Sequence, residues 1–185
     1  MKNAIKLILT LGLIAAISGG GLGAFYSFTM PIVEARQMEE MISKGFKEVL
    51  PAAQRFQAVE AQGELPAGVT QVYEGLDENN RRIGIAYEAV GTGYGGEMKI
   101  AVGIDLSTNS LAGIKVLSHG ETPGLGSRIE TDEAFLSQFP GKPVGDPFAV
   151  GQDVDGITGA TVSSVAVTAT VGTTVQQVLA YVGEE

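Results

Sequence analysis

The chain has 185 residues, room for one compact domain and an appendage rather than two large domains. It has no Cys and one His, His119, which excludes disulfides, thiolate zinc sites and iron–sulfur ligation by its own residues and gives little support to a His-rich metal site or a Ser-His-Asp triad. The net charge is −9, and after residue 29 there are 21 acids against 10 bases, a net −11, which argues against nucleic acid and against peripheral binding to anionic lipid. Aromatics are sparse at 6%, whereas the 26 glycines are many for this length and read as turns and close backbone approaches at a site.

No charged side chain occurs from Leu7 to Val33, and the 22 residues Leu7–Phe28 suffice to span a bilayer as a helix. Lys2 and Lys6 precede the run and Glu34 follows it before Arg36, so the positive flank predicts a cytoplasmic N-terminus and an extracytoplasmic domain. Phe25 and Tyr26 sit where an interfacial aromatic belt belongs. The alternative is a cleaved signal peptide with Leu7–Ile17 as its apolar core. The apolar run continues past Gly19–Gly21, which favours a retained anchor.

Pro31 interrupts the first helix, and residues 34–50 read as a second, with Met38, Met41, Ile42, Phe46, Val49 and Leu50 at spacings of three and four. From Val69 the pattern turns to strands: Val69–Tyr73, Arg82–Val90, Met98–Leu106 and Leu111–Leu117, with turn clusters at Asp77–Asn80 and Ser107–Ser110. Two antiparallel hairpins are expected. Thr131 is the expected N-cap of a short helix running to Phe139. Val162–Val182 reads as a last helix with Val162, Val165, Ala166, Ala169, Gly172, Val175, Val178, Leu179 and Val182 as its buried stripe. The expected fold class is α+β, with an anchor over 1–30, a linking helix over 31–60 and a compact antiparallel-sheet domain with a C-terminal helix over 61–185.

Three glycine-rich loops carry the candidate chemistry. Gly91–Gly96 matches G-x-G-x-x-G, but a strand precedes it and another follows, whereas a dinucleotide site needs a helix there. It reads as a hairpin bend whose Tyr94 and Gly95 approach a ring system. In the loop from His119 to Gly126, Glu121 and Thr122 offer polar atoms to a ring edge, Leu125 an apolar surface, and Gly124 and Gly126 close approach, a mixture suited to a small aromatic ligand. His119 itself reads as structural. The third loop, Asp155–Ser164, runs into the last helix, so free N–H groups and the positive end of the helix dipole form an anion site. Thr158, Thr161, Ser163 and Ser164 cluster there, and any of them is a candidate helix cap. Lys142, the only base between Arg128 and the C-terminus, is a candidate partner for the anion.

The sequence Asp155-Gly-Ile-Thr-Gly-Ala-Thr161-Val-Ser-Ser164 resembles the flavinylation motif of the FMN-binding domain family. With the Glu121–Gly126 run, the Gly93–Gly96 segment and the N-terminal anchor in the same order, it is similar to the G subunits of Rnf-type complexes, which are themselves similar to the C subunits of sodium-pumping NADH:quinone oxidoreductases. Thr158 departs from the commoner Ser, keeping a hydroxyl. The resemblance implies FMN joined by a phosphoester bond to Thr161, with Thr158, Gly159, Ala160, Ser163 and Ser164 around the attachment. It also implies a separate Mg-dependent flavin transferase as a maturation partner, other subunits of a membrane redox complex, and electron relay between ferredoxin and NAD coupled to Na+ or H+ translocation. Thr161 is then an attachment point and not a turnover nucleophile. The equivalent subunit of a sodium-pumping NADH:quinone oxidoreductase, a stand-alone flavinylated extracellular reductase and a non-redox binding module with unmodified Thr161 are the rival readings.

Overall fold

The computed structural model describes residues 6, 10–16, 18–23, 25–27, 29–30, 45–59 and 63–183. They belong to two compact units, Met1–Met41 and Ile42–Glu185. In the first, every described residue from 10 to 30 is helical, and Thr10–Ser27 is long and apolar enough to cross a membrane. Leu11, Leu13, Ile14, Leu22, Phe25 and Tyr26 are all exposed. The hydroxyls of Thr10, Ser27 and Thr29 donate to carbonyls four residues back (2.9, 2.8 and 2.7 Å). Each polar group is thereby satisfied within its own helix, the condition an apolar solvent imposes.

Of the linking helix expected over 34–50, residues 34–44 lie outside the described residues. Residues 45–49 are helical, Lys47–Val49 regularly α, and the chain leaves the helix at Leu50, before Pro51. The sheet that follows is a five-stranded antiparallel meander in the order β1-β2-β3-β4-β5: Arg55–Ala58, Val69–Leu76, Arg82–Gly93, Gly96–Asp105 and Ser110–His119. The two expected hairpins are present as β2–β3 and β4–β5, and the β3–β4 and β1–β2 pairings join them into one continuous sheet. β1 had no sequence signal because its four residues are mostly exposed, and it lies within the stretch expected as linker. Asp77 holds the β2–β3 turn, accepting from the backbone of Asn79 (2.8 Å) and Arg81 (2.9 Å).

One face of the sheet carries Ile85, Tyr87, Ala89, Ile100, Val102 and Ile104 against Val167, Val171, Val175 and Val178 of the C-terminal helix, Thr161–Tyr181. Each fully buried Val contributes about 1.5–3 kcal/mol relative to exposure. Tyr87 and Thr174 share a buried hydrogen bond of 3.1 Å between sheet and helix. Burial also raises the Tyr87 pKa far above that of an ordinary phenol.

The helix is where expected, but the stripe over its first half is not. Val162 and Val165 are 58% and 45% exposed, whereas Ser163, Ser164, Val167 and Thr168 are buried. Hydropathy alone misplaced this face, because the buried threonines neutralise their own hydroxyls: Thr170 and Thr174 donate to Ala166 O and Thr170 O, both at 2.7 Å. The short helix before it is corrected too. Asp132, not Thr131, is its N-cap, accepting from Phe135 N at 3.2 Å, and the helix covers only Glu133–Leu136.

Phe46, Val49, Tyr73, Ala86 and Ala101 form a second cluster on the opposite face, joined by Phe56 and Leu117. Here glycine is required for packing. A Cβ on Gly75 or Gly84 would lie 2.4 or 2.8 Å from a Leu50 methyl, and one on Gly103 would lie 2.1 Å from the Val49 carbonyl oxygen. The residues 45–50 therefore lie directly on a bare strip of sheet, and these glycines have no part in a ligand site. Gly103→Ala is expected to destabilise the full chain by about 1–3 kcal/mol through overpacking against backbone. Gly113→Ala, whose Cβ would find its nearest neighbour at 3.5 Å, should cost much less. Urea unfolding of the two variants in detergent checks the ordering.

Candidate functional site

The site begins at an open helix end. The C-terminal helix starts after Ala160, which contributes no side-chain cap, and the first three N–H groups of such a helix have no intrahelical acceptor. Two of the hydroxyls nearby are engaged elsewhere. Ser164 Oγ accepts from Ile157 N and donates to Ala160 O, both at 3.0 Å. Ser163 Oγ donates to Glu121 Oε2 at 2.8 Å. Thr161 is exposed at the first helical position. Gly159, at φ +84°, makes the turn that delivers the chain to this point.

Two other loops close around that end. β3 and β4 meet in a two-residue hairpin, Gly93 pairing with Gly96, and Tyr94 at its tip is 78% exposed. Glu121 joins hairpin, loop and helix: Oε1 accepts from Gly95 N at 3.1 Å while Oε2 takes the Ser163 hydrogen bond. Glu121 is 6% exposed. Gly93 and Gly126 are bare because a Cβ on either would lie 2.1 or 2.4 Å from its oxygens. His119 is structural: Nδ1 accepts from Glu121 N at 3.2 Å and Nε2 faces Glu130 at 3.3 Å, which assigns the neutral tautomer with its proton on Nε2.

The result is a cavity of about 400 Å³ lined by Tyr94, Glu121, Thr122, Leu125, Gly126, Gly159, Ala160, Thr161, Val162 and Ser163. Five residues expected at the site are not in its lining. Ser164 is buried beneath it. Gly95 supplies its N–H to Glu121. Gly124, at φ +74°, shapes the turn with its N–H on Ser127 Oγ. Thr158 offers its carbonyl to Arg128 Nη1 at 3.1 Å. Lys142 is the clearest departure, because its ammonium pairs with Asp153 at 3.0 Å and Asp146 at 3.5 Å. Its charge is therefore matched by two carboxylates.

Val162 was missed, having been assigned to the core by its helical spacing. Arg128 and Gln138 were missed as supports. Gln138 grips Asp155 at both backbone groups, accepting at 2.7 Å and donating at 3.1 Å. Both residues act on main chain, which leaves no pattern in a sequence. A larger cavity of about 520 Å³, lined by Gln57, Glu74, Arg82 and Tyr181 among others, offers no helix N-terminus.

Comparison with known proteins defines the lineage. Residues 93–176 match the FMN-binding domain. Over 170 residues the chain is 34% identical to the G subunit of the ion-translocating oxidoreductase complex of Methanosarcina acetivorans, covering 90% of this chain and 89% of that one. This chain belongs to that G-subunit family. Another member, the G subunit of the Na(+)-translocating ferredoxin:NAD(+) oxidoreductase complex of Acetobacterium woodii, is 29% identical over 95% of this chain and 91% of its own. The crystal structure of NqrC from Shewanella oneidensis is similar with a TM-score of 0.49 and 23% identity, covering 66% of this chain and 65% of that chain.

The residues around the cavity fit the cofactor of an FMN-binding domain. An uncapped helix end suits a phosphate, and Tyr94, Leu125 and Val162 give a flat ring apolar surface beside the polar groups of Glu121 and Thr122.

Asp153 stabilises the segment leading to this loop. Desolvation pushes its pKa up, but the Ala149 N–H, the Lys142 ammonium and the Phe148 N–H together outweigh it and hold the pKa below the ordinary carboxylate value. A lowered folded pKa means that the stabilisation is complete above the unfolded value, about 3.9, and disappears as pH falls through the folded one. Asp153→Asn should therefore melt lower than wild type at neutral pH, with the difference in Tm closing below about pH 4. A gap that widens on acidification would contradict this assignment.

Proposed function

We propose that this chain is a membrane-anchored electron carrier that holds one FMN through a phosphoester bond to Thr161. The observation that carries the reading is the uncapped N-terminus of the C-terminal helix, with Thr161 in the lining of a largely apolar cavity. Three backbone N–H groups and the helix dipole compensate the single negative charge of a phosphodiester. No basic side chain is needed there, which accords with the engagement of Lys142 elsewhere.

When bound, FMN supplies the redox chemistry. The protein residues hold and shield it. Gly159 and Ala160 leave the Thr161 hydroxyl open to a flavin transferase. Tyr94, Leu125 and Val162 would offer the ring its apolar surface, and Glu121, Thr122 and Ser163 form the polar wall. A covalent tether suits a carrier outside the cytoplasm, where a lost flavin has no pool to replace it.

The relatives' names support a place among the other subunits of a membrane complex that couples ferredoxin and NAD redox chemistry to ion translocation. The uncharged N-terminal run supports anchoring in the bilayer, with Lys2 and Lys6 on the cytoplasmic side and the FMN domain on the other.

Co-production with a flavin transferase should give wild-type protein whose flavin fluorescence survives denaturing electrophoresis and whose intact mass includes FMN. Thr161→Ala should lose both signals. Covalent flavin retained in the Ala variant would refute the attachment site, and none in wild type would refute the whole reading. Protease added to intact spheroplasts should digest the C-terminal domain; protection until lysis would reverse the assigned orientation.

A further inference from the structure

The wall of the cavity contains a carboxylate with no counter-ion among the described residues. Glu121 is 6% exposed, and among the described residues no Lys or Arg pairs with it. Among the described residues two donors reach its oxygens: the Gly95 N–H at 3.1 Å and the Ser163 hydroxyl at 2.8 Å. Two donors and no acceptor are what an ionised carboxylate accommodates. The surroundings keep any compensating side chain away. Gly93 and Gly126 present bare backbone to the two oxygens, and a Cβ on Gly95 would lie 2.0 Å from the Gly120 carbonyl oxygen. The charge is thus enclosed by backbone and open to the ligand cavity that it lines.

We propose that the buried carboxylate of Glu121 lowers the reduction potential of the bound flavin, and that the Ser163 hydroxyl sets how much of its charge the ring feels. The inference rests on the reading that FMN occupies this cavity. Each electron delivered to the ring adds negative charge. A fixed negative charge in a site sheltered from water opposes that addition far more than one in bulk solvent. Reduction is disfavoured and the potential falls. The Ser163 hydrogen bond offsets part of the carboxylate's charge, so its loss exposes the ring to more of the field.

The two residues therefore predict opposite shifts. Full-length protein carrying covalent flavin is titrated spectroelectrochemically in detergent at pH 8, well above the ordinary carboxylate range. Glu121→Gln keeps the shape and removes the charge. Its midpoint should rise by at least a factor of ten in the one-electron equilibrium constant, about 59 mV. Ser163→Ala should lower the midpoint. Glu97→Gln, which removes an exposed charge from the same hairpin, should shift it by less than a third as much as Glu121→Gln does.

A role in holding the loops together would not produce shifts of opposite sign. An unchanged or lower midpoint in flavin-bearing Glu121→Gln overturns the inference, as does a shift matched by Glu97→Gln. If Glu121→Gln does not fold, Ser163→Ala decides, and a midpoint equal to or above wild type overturns it. Wild-type protein that binds no flavin would instead bring down the functional reading, and this inference with it.

Discussion

The N-terminus of the C-terminal helix carries no side-chain cap, and the candidate site is arranged around that open end. Leaving N–H groups unpaired is costly when they are buried, and tolerable where an anion can reach them. The hydroxyls at hand are engaged on other partners: Ser164 on the loop backbone and Ser163 on Glu121. Thr161 is exposed at the mouth of the cavity. The position of this end depends in turn on the helix packing along the sheet through Val167, Val171, Val175 and Val178.

Glycine does two separate jobs in this domain. Around Glu121 it makes room for a carboxylate and lets hairpin and loop backbones touch, as at Gly93, Gly95 and Gly126. On the far face of the sheet, Gly75, Gly84 and Gly103 make a bare strip on which Val49 and Leu50 lie. Both depend on the missing Cβ, so composition cannot separate them. The first set lies at the candidate cavity, and the second serves backbone packing away from it.

Strand and helix positions were legible because their periodicities differ and the turns at Asp77–Asn80 and Ser107–Ser110 separate them. The face of the C-terminal helix was less so. A buried threonine that satisfies itself on the preceding turn looks polar in a sequence and behaves as apolar in a core. The edge strand β1 escaped notice for the converse reason, since it buries too little to impose alternation. Lys142 illustrates a third limit. Charge and chain position made it a candidate for the anion, whereas its geometry gives it to Asp153 and Asp146.

By itself the sequence marked a candidate anion site where Asp155–Ser164 enters a helix, with glycine-rich loops around Tyr94 and Glu121–Gly126 beside it. These are local properties of turn, dipole and hydroxyl, written within a few residues of one another. Only the tertiary structure decided that the three loops form one cavity, that the hydroxyls of Ser163 and Ser164 are committed while the helix end stays open, and that Glu121 lines the cavity with no counter-ion among the described residues. Those facts depend on contacts between residues tens of positions apart, and a chain reveals such contacts only once packing has chosen which faces meet.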